Sequence, residues 1–338
     1  MKAIKHILFF CILVIFSLAC KRNPLKVDIS DIKGDVEVVW FSDELFSLQG
    51  KDTLEVLVEL HNSYPDFFNL FTYRVINIGG IDDEHFEELM SIFITDTLIQ
   101  EVKNMIDHEF SDFDKLEKEL KKAFKYYQFH FPNKKLPTIY TYISGFNQSV
   151  VTAENIIGIS LDKYLGRDCE YYQQLNTTPQ YKILNMHKHK LLSDVAYAWG
   201  ITEFEAPAAP TNLLGNMIQQ GKLMYLVDAM LPEMHDSLKI GYTGKQLGWC
   251  EMNEPQMWTY MIEKEMLYST QRMDVVRYIN DSPTTSGFPL ESPGRTGIWI
   301  GWQIVRQYIK ENPEITLPEL MKNYNYQEIL NYSGYSPE

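Results

Sequence analysis

The stretch from Thr211 to Pro232, TNLLGNMIQQGKLMYLVDAMLP, constrains the fold more than any other. Leu214, Met217, Ile218, Gly221, Tyr225 and Asp228 recur at helical spacing. Thr211 or Asn212 can cap the start, and Pro232 ends it. Leu223, Met224, Leu226 and Val227 make the second half apolar nearly all round, which predicts neighbours on more than one side. The middle reads Gln219-Gln220-Gly221-Lys222. A mid-helix glycine costs roughly 1 kcal/mol against alanine, so its place here implies close packing. A lysine in such a helix must reach water or meet a carboxylate. Two readings follow: a core helix with one polar seam, or a seam that lines a cleft.

The chain of 338 residues suffices for one large domain or two small ones and for a sizeable core. Lys+Arg 31 against Asp+Glu 45 gives −14. That balance argues against a nucleic-acid partner and against a basic patch on an anionic lipid surface. The N-terminus reads as a targeting segment. Lys2 and Lys5 precede the apolar run Ile7 to Phe16, then Ser17-Leu18-Ala19 and Cys20. The run is too short for a transmembrane helix and fits a cleaved signal of residues 1–19. Cys20 directly after Ala19 resembles a bacterial lipobox, although Ser17 stands where leucine is commonest. In that reading Cys20 is acylated, and two or three chains anchor firmly. Cleavage removes two lysines, taking −14 to −16. Beyond Cys20, the mature chain holds only Cys169 and Cys250. An exported compartment permits their pairing, which the sequence leaves open.

Residues 20–34 read as a tether, and VEVVWF (36–41) as a strand. Leu54 to Phe129 is mostly helical, giving an N-terminal helical subdomain over 35–131. From 132 the composition shifts. Leu136 to Ser144, Gln148 to Thr152 and Ile156 to Leu161 read as three strands of a small central sheet. Helices are expected over Gln180 to Trp199, the central stretch, Gly244 to Glu251, Glu254 to Ser269, Thr296 to Glu311 and Leu317 to Tyr324. SPTTSGFPLESPG (282–294) reads as a long loop.

Motifs of catalysis are sparse. HEFSD at His108 to Asp112 matches HExxH only superficially, and His187 and His189 are spaced for different helix faces. Neither a Gly-x-Ser-x-Gly elbow nor a Walker A run occurs. The C-terminal third is the most distinctive. Gly248-Trp249-Cys250-Glu251 leads to Asn253-Glu254-Pro255 and Trp258, and PGRTGIWIGW (293–302) enters a helix. Gly297 and Gly301 clear one face for packing, beside Trp299 and Trp302. The alternative is a polar pocket lined by Lys222, Glu254 and Arg295.

At these residues the chain resembles the gliding motility lipoprotein GldB family. The match runs through Met217-Ile218, Gly221-Lys222, Tyr225, Ile240-Gly241-Tyr242-Thr243, Trp249-Cys250, Asn253-Glu254, Trp258, Leu267-Tyr268-Ser269 and Ser292 to Gly297. Ile159 to Gly166 adds the sheet region. The resemblance implies a membrane-anchored accessory protein of gliding, in a setting that depends on type IX secretion. That family is in turn similar to predicted gluzincin-type zinc metallopeptidases. Gln220 stands where their second helix has glutamate, and LLSDVAYAW (191–199) holds no histidine. An amide is a poor zinc ligand.

The expected fold is therefore α+β and mainly helical: a zincin-like core over 132–338 with a small central sheet. The expected function is a non-catalytic accessory lipoprotein without metal or cofactor, anchored at the outer membrane and facing the periplasm. Its partners are other motility or secretion envelope proteins. The alternative is a hydrolase of peptides or cell-wall material. Gln220, Lys222, Tyr225, Glu251, Glu254, Trp258 and Arg295 form the expected cleft. Glu251 and Glu254 are candidate partners for Lys222, and Arg295 for a further carboxylate.

Overall fold

The computed structural model describes residues 23–47, 53–175 and 178–338. The signal, the lipobox and Cys20 lie outside the described residues. The chain is mainly helical around a small sheet, an α+β fold.

Strand β1 (Val38–Val39) is only two residues long, because the expected strand turns into helix α1 (Phe41–Phe46). Phe41 is fully buried there. Helices α2 (Thr53–Ser63) and α3 (Pro65–Leu70) follow, then a π-helical turn at Phe71–Val75. Helices α4 (Phe86–Thr95), α5 (Thr97–Glu109) and α6 (Phe113–His130) complete the first half. Asp96 and Asp112 cap α5 and α6 through the amides of Ile99 and Lys115.

Strands β2 (Thr138–Tyr142), β3 (Val150–Ala153) and β4 (Ile156–Ser160) join β1 in a four-stranded sheet of order β1-β2-β4-β3. β1, β2 and β4 run parallel, and β3 is antiparallel to β4. Residue alternation divides the sheet faces. Tyr140, Tyr142, Val151 and Ile156 face a small core of aromatic residues from α1, α3 and the π turn. Phe67 stacks on Tyr140 with ring centroids 4.2 Å apart. Gly158 leaves room on this face: a Cβ there would sit 2.8 Å from Phe67 and 2.9 Å from Tyr142. Ile139, Ile157 and Ile159 face the large core, which also takes in the buried side of α5 and α6.

A 3-10 turn, Leu161–Lys163, leads to α7 (Glu170–Gln174) and α8 (Gln180–Ile183), then α9 (Lys188–Glu203). The single helix expected over Gln180 to Trp199 is thus two. His187 is extended (φ −144°) and bridges Leu165, so its backbone cannot continue a helix. Helix α10 (Leu213–Met230) is the central stretch. The Asn212 side chain caps it by accepting from the Gly215 amide at 2.9 Å. Every residue of α10 except Asn216 and Gln220 is buried.

Helices α11 (Asp236–Ile240), α12 (Gly244–Glu263), α13 (Arg272–Ile279), α14 (Thr296–Glu311), α15 (Leu317–Lys322) and α16 (Tyr326–Ser333) follow. The break expected between Glu251 and Glu254 is absent, and Pro255 sits inside α12. Burial of Cys250, Met257, Trp258 and Met261 along one face outweighs the lost backbone bond. The end expected near Ser269 is instead a 3-10 turn, Met266–Tyr268. α13 and α16 were not expected at all. Helix α14 begins and ends where its sequence pattern places it. The expected tether lies against the core from Asn23 onward: Asn23 donates to the Pro232 carbonyl at 2.9 Å, and Lys26 pairs with Glu233. Cys169 and Cys250 are free thiols, both buried. Among the described residues no helix is long and apolar enough to cross a membrane.

Candidate functional site

Two polar regions compete for a functional role, and the first is the seam between α10 and α14. The helices meet backbone to backbone. A Cβ on Gly221 would overlap the Gly301 carbonyl, and one on Gly301 would overlap that of Met217. Gly297 is held as closely, 2.9 Å from the Tyr278 carbonyl. Two turns along α10, Asp228 is buried and fully engaged. It accepts from Lys239 at 2.7 Å, from Trp302 Nε1 at 2.8 Å and from Arg306 at 2.8 Å. Arg306 also grips Asp236 at 2.6 and 2.9 Å and lies over the Trp302 ring. These carboxylates raise the Arg306 pKa, although burial alone would lower it.

The seven residues expected to share a cleft do not come together. Lys222 is fully buried and forms no ion pair with Glu251 or Glu254: its ammonium donates to the Asn323 carbonyl at 2.8 Å. It also lies 4.5 Å from the Tyr324 ring centroid. Burial lowers its pKa to about 7. The expected Lys222–carboxylate pair is therefore replaced by a carbonyl and an aromatic face, because α15 and α16 fold over this end of the seam. Glu254 accepts instead from Tyr335 at 2.7 Å, with Trp258 against the same tyrosine ring. Burial raises the Glu254 pKa. Glu251 is exposed on α12, and Tyr225 is buried in the large core. Gln220 accepts from Tyr197 of α9. Arg295 alone of the seven lines the main cleft, where it pairs with Asp281 at 3.2 Å and donates to the Ile240 carbonyl. Its left-handed backbone (φ 60°) starts α14.

That cleft is the second region, with a volume of about 1900 Å³. One side is apolar: Ile78, Leu89, Ile92 and Leu98 from the α4–α5 region. The other is polar and comes from the Ser144 to Val150 loop, the segment after β4, the exposed face of α9 and the loop before α14. Each part is fixed from behind. Asp162 is fully buried and accepts from the amides of Ser144 (3.2 Å) and Phe146 (2.6 Å), which holds the 144–147 loop. Burial raises its pKa, against these donors. Lys163 donates to the Phe146 carbonyl at 3.0 Å, and burial lowers its pKa.

Helix α9 supplies the back wall. Lys190 donates to Asp194 at 2.6 Å and to Ser193 at 2.8 Å, and the Tyr164 hydroxyl donates to the other oxygen of Asp194 at 3.0 Å. The two nearby imidazoles, His187 and His189, are 5.9 Å apart, and burial lowers the pKa of His187. Its N-terminus has no side-chain cap and no acid in the first turn. On this wall Asp194 holds an ammonium, and on α10 Gln220 is taken up by the Tyr197 hydroxyl. Among the described residues no group of three or more His, Cys, Asp or Glu converges.

Sequence reasoning pointed to LLSDVAYAW for its missing histidines. It did not single out Lys163, Arg167, Lys190 or Asp194 on the cleft wall. The available signal was Lys190 and Asp194 at i,i+4 on one helix, which favours an ion pair.

No curated protein and no solved structure matches the chain. A family model described as gliding motility protein GldB matches residues 22–337, and the chain belongs to that family of gliding motility lipoproteins.

Proposed function

We propose that this protein is a lipid-anchored accessory component of the gliding apparatus that acts by binding a partner chain rather than by hydrolysis. Membership of a lipoprotein family associates it with the cell envelope. In the proposed reading Cys20 carries the acyl chains, the body faces the periplasm from the outer membrane, and the partners belong to the motility or type IX secretion machinery. The observation that carries the binding reading is the chemistry of α9. Its cleft face ties Asp194, the carboxylate of LLSDVAYAW, to Lys190 in an ion pair, so this acid is not available as a metal ligand or general base. A large open cleft built on rigid elements suits recognition of an extended segment. β3 is an edge strand, and Val150 at its start lines the cleft, so strand addition is available there.

The test combines two measurements on the purified lipoprotein. Metal content and proteolysis of denatured substrates are assayed first. Stoichiometric zinc with chelator-sensitive activity would reverse the reading in favour of a hydrolase. Pull-down from native membranes then compares the natural chain with Gln148→Trp, which fills the cleft from an exposed position. Recovery of envelope proteins that falls in the variant, at unchanged melting temperature, supports binding through this cleft.

A further inference from the structure

The cleft gathers positive charge in an otherwise acidic protein. Its lining holds six Lys or Arg (Lys163, Arg167, Lys182, Lys188, Lys190, Arg295) and five Asp or Glu. The rest of the chain holds 25 against 40, subtracting those from 31 and 45. Four of the six bases are answered within the cleft. Lys188 pairs with Glu109, Lys190 with Asp194, and Lys182 and Arg295 share Asp281. Lys163 and Arg167 have no carboxylate within ion-pair distance among the described residues. Asp168, next to Arg167, is exposed and forms no ion pair among them.

The cations also press on one another. Beyond burial, His189, Lys190 and Arg167 depress the His187 imidazole against Asp194, and Lys182 depresses Lys163 against the stronger, opposite pull of Asp162. Like charges held close to one another are unfavourable, and an added anion relieves them. The uncapped N-terminus of α9 opens on the same place and adds a partial positive charge.

Facing this wall is an apolar shelf that solvent reaches. Leu89, Ile92 and Leu98 are 41%, 58% and 41% exposed, although all three are large and lie together along the cleft. Exposed apolar groups beside unanswered cations call for a ligand with both apolar groups and oxyanions. The shelf is open rather than a tunnel, so it does not enclose an acyl chain. The amide side chains of Asn147, Gln148 and Asn185 also line the cleft; Asn147 and Asn185 donate to the Val75 and Gly241 carbonyls, and the exposed Gln148 matches the chemistry of peptide backbone.

We infer that this cleft receives an acidic peptide segment with interspersed apolar residues, its carboxylates on Lys163 and Arg167 and its apolar side chains on Ile92 and Leu98. The inference rests on the binding reading above and names the class of partner.

The test uses the full lipoprotein in detergent and short fluorescent peptides of alternating Glu and Leu, Lys and Leu, or Gln and Leu, followed by anisotropy. Binding of the Glu–Leu peptide, weakened by salt, is expected. Lys163→Gln with Arg167→Gln should weaken it roughly tenfold, the scale of two partly screened charge contacts. Ile92→Ser should weaken it as well, by loss of apolar contact. Equal affinity for the Glu–Leu and Lys–Leu peptides overturns the inference, as does indifference to the double substitution. Binding of anionic phospholipid vesicles through the same two residues, with no peptide bound, overturns it too. Membrane partners that depend on Gln148, without peptide discrimination, would sink this inference and leave the binding reading standing. Recovery indifferent to the cleft would remove both.

Discussion

The α10–α14 seam and the α9 wall of the cleft are both polar, but they differ in how their polar groups are satisfied. At the seam Asp228 meets three donors, two of them cationic, with glycines bringing the helices into contact. At the cleft Lys163 and Arg167 form no ion pair among the described residues, although Asp162 acts on Lys163 from behind, and apolar side chains stand in water opposite. A closed network holds structure, because every buried charge has its partner inside the protein. An open one is poised for a partner from outside. Apolar periodicity and glycine spacing direct attention to the seam, whereas the proposed binding cleft is lined by α9.

The largest effect that separates the regions is expected at Asp228. Asp228→Ala leaves Arg306, Lys239 and the Trp302 indole without their acceptor and should cost about 3–5 kcal/mol. Chemical denaturation checks it, and a loss below about 1 kcal/mol would mean that the seam is not the closed network described. Gly221→Ala comes next. Its methyl overlaps the Gly301 carbonyl, so the helices must separate, at about 1–3 kcal/mol. An unchanged melting temperature would contradict the close approach.

Lys222 sharpens the comparison through pH. Its folded pKa of about 7 lies below the ordinary lysine value of 10.5. Between those values the unfolded chain holds the proton and the folded chain does not, so stability rises with pH across that window. The cost of burying the ammonium is fullest below about pH 7. Lys222→Met should flatten that rise and, at pH 6, stabilise by about 1–2 kcal/mol net of the lost bond to Asn323. Melting curves at pH 6 and pH 9 decide, and a variant with the same pH slope as the natural chain refutes the assignment. The smallest stability effect is expected in the cleft. Arg167→Gln is on an exposed loop and should change stability by less than about 0.5 kcal/mol. A clear destabilisation would place Arg167 in the closed class.

What was legible in the sequence was local. Helix α14 was read to the residue, because Arg295 to Glu311 carries its apolar stripe and glycines within one segment. The cap at Asn212 and the stop before Pro232 bounded α10 in the same way. Alternation of Ile139, Tyr140, Thr141 and Tyr142 gave β2 its two faces. The division of Gln180 to Trp199 was not legible, since it depends on a bridge to Leu165. Joining the helices expected over Gly244 to Glu251 and Glu254 to Ser269 was not legible either, because the burial that carries α12 through Pro255 is supplied by other elements.

The sequence by itself determined the family, the mainly helical α+β class and the glycine-notched helix pair, all of which rest on neighbours along the chain. Only the tertiary structure decided where charges lie. Lys222 took its acceptor from Asn323, 101 residues away, instead of a nearby glutamate. The cleft drew its cations from the segment after β4, from α8 and α9 and from the start of α14. Charge pairing is set by distance in space, on which sequence spacing is silent beyond one or two helical turns.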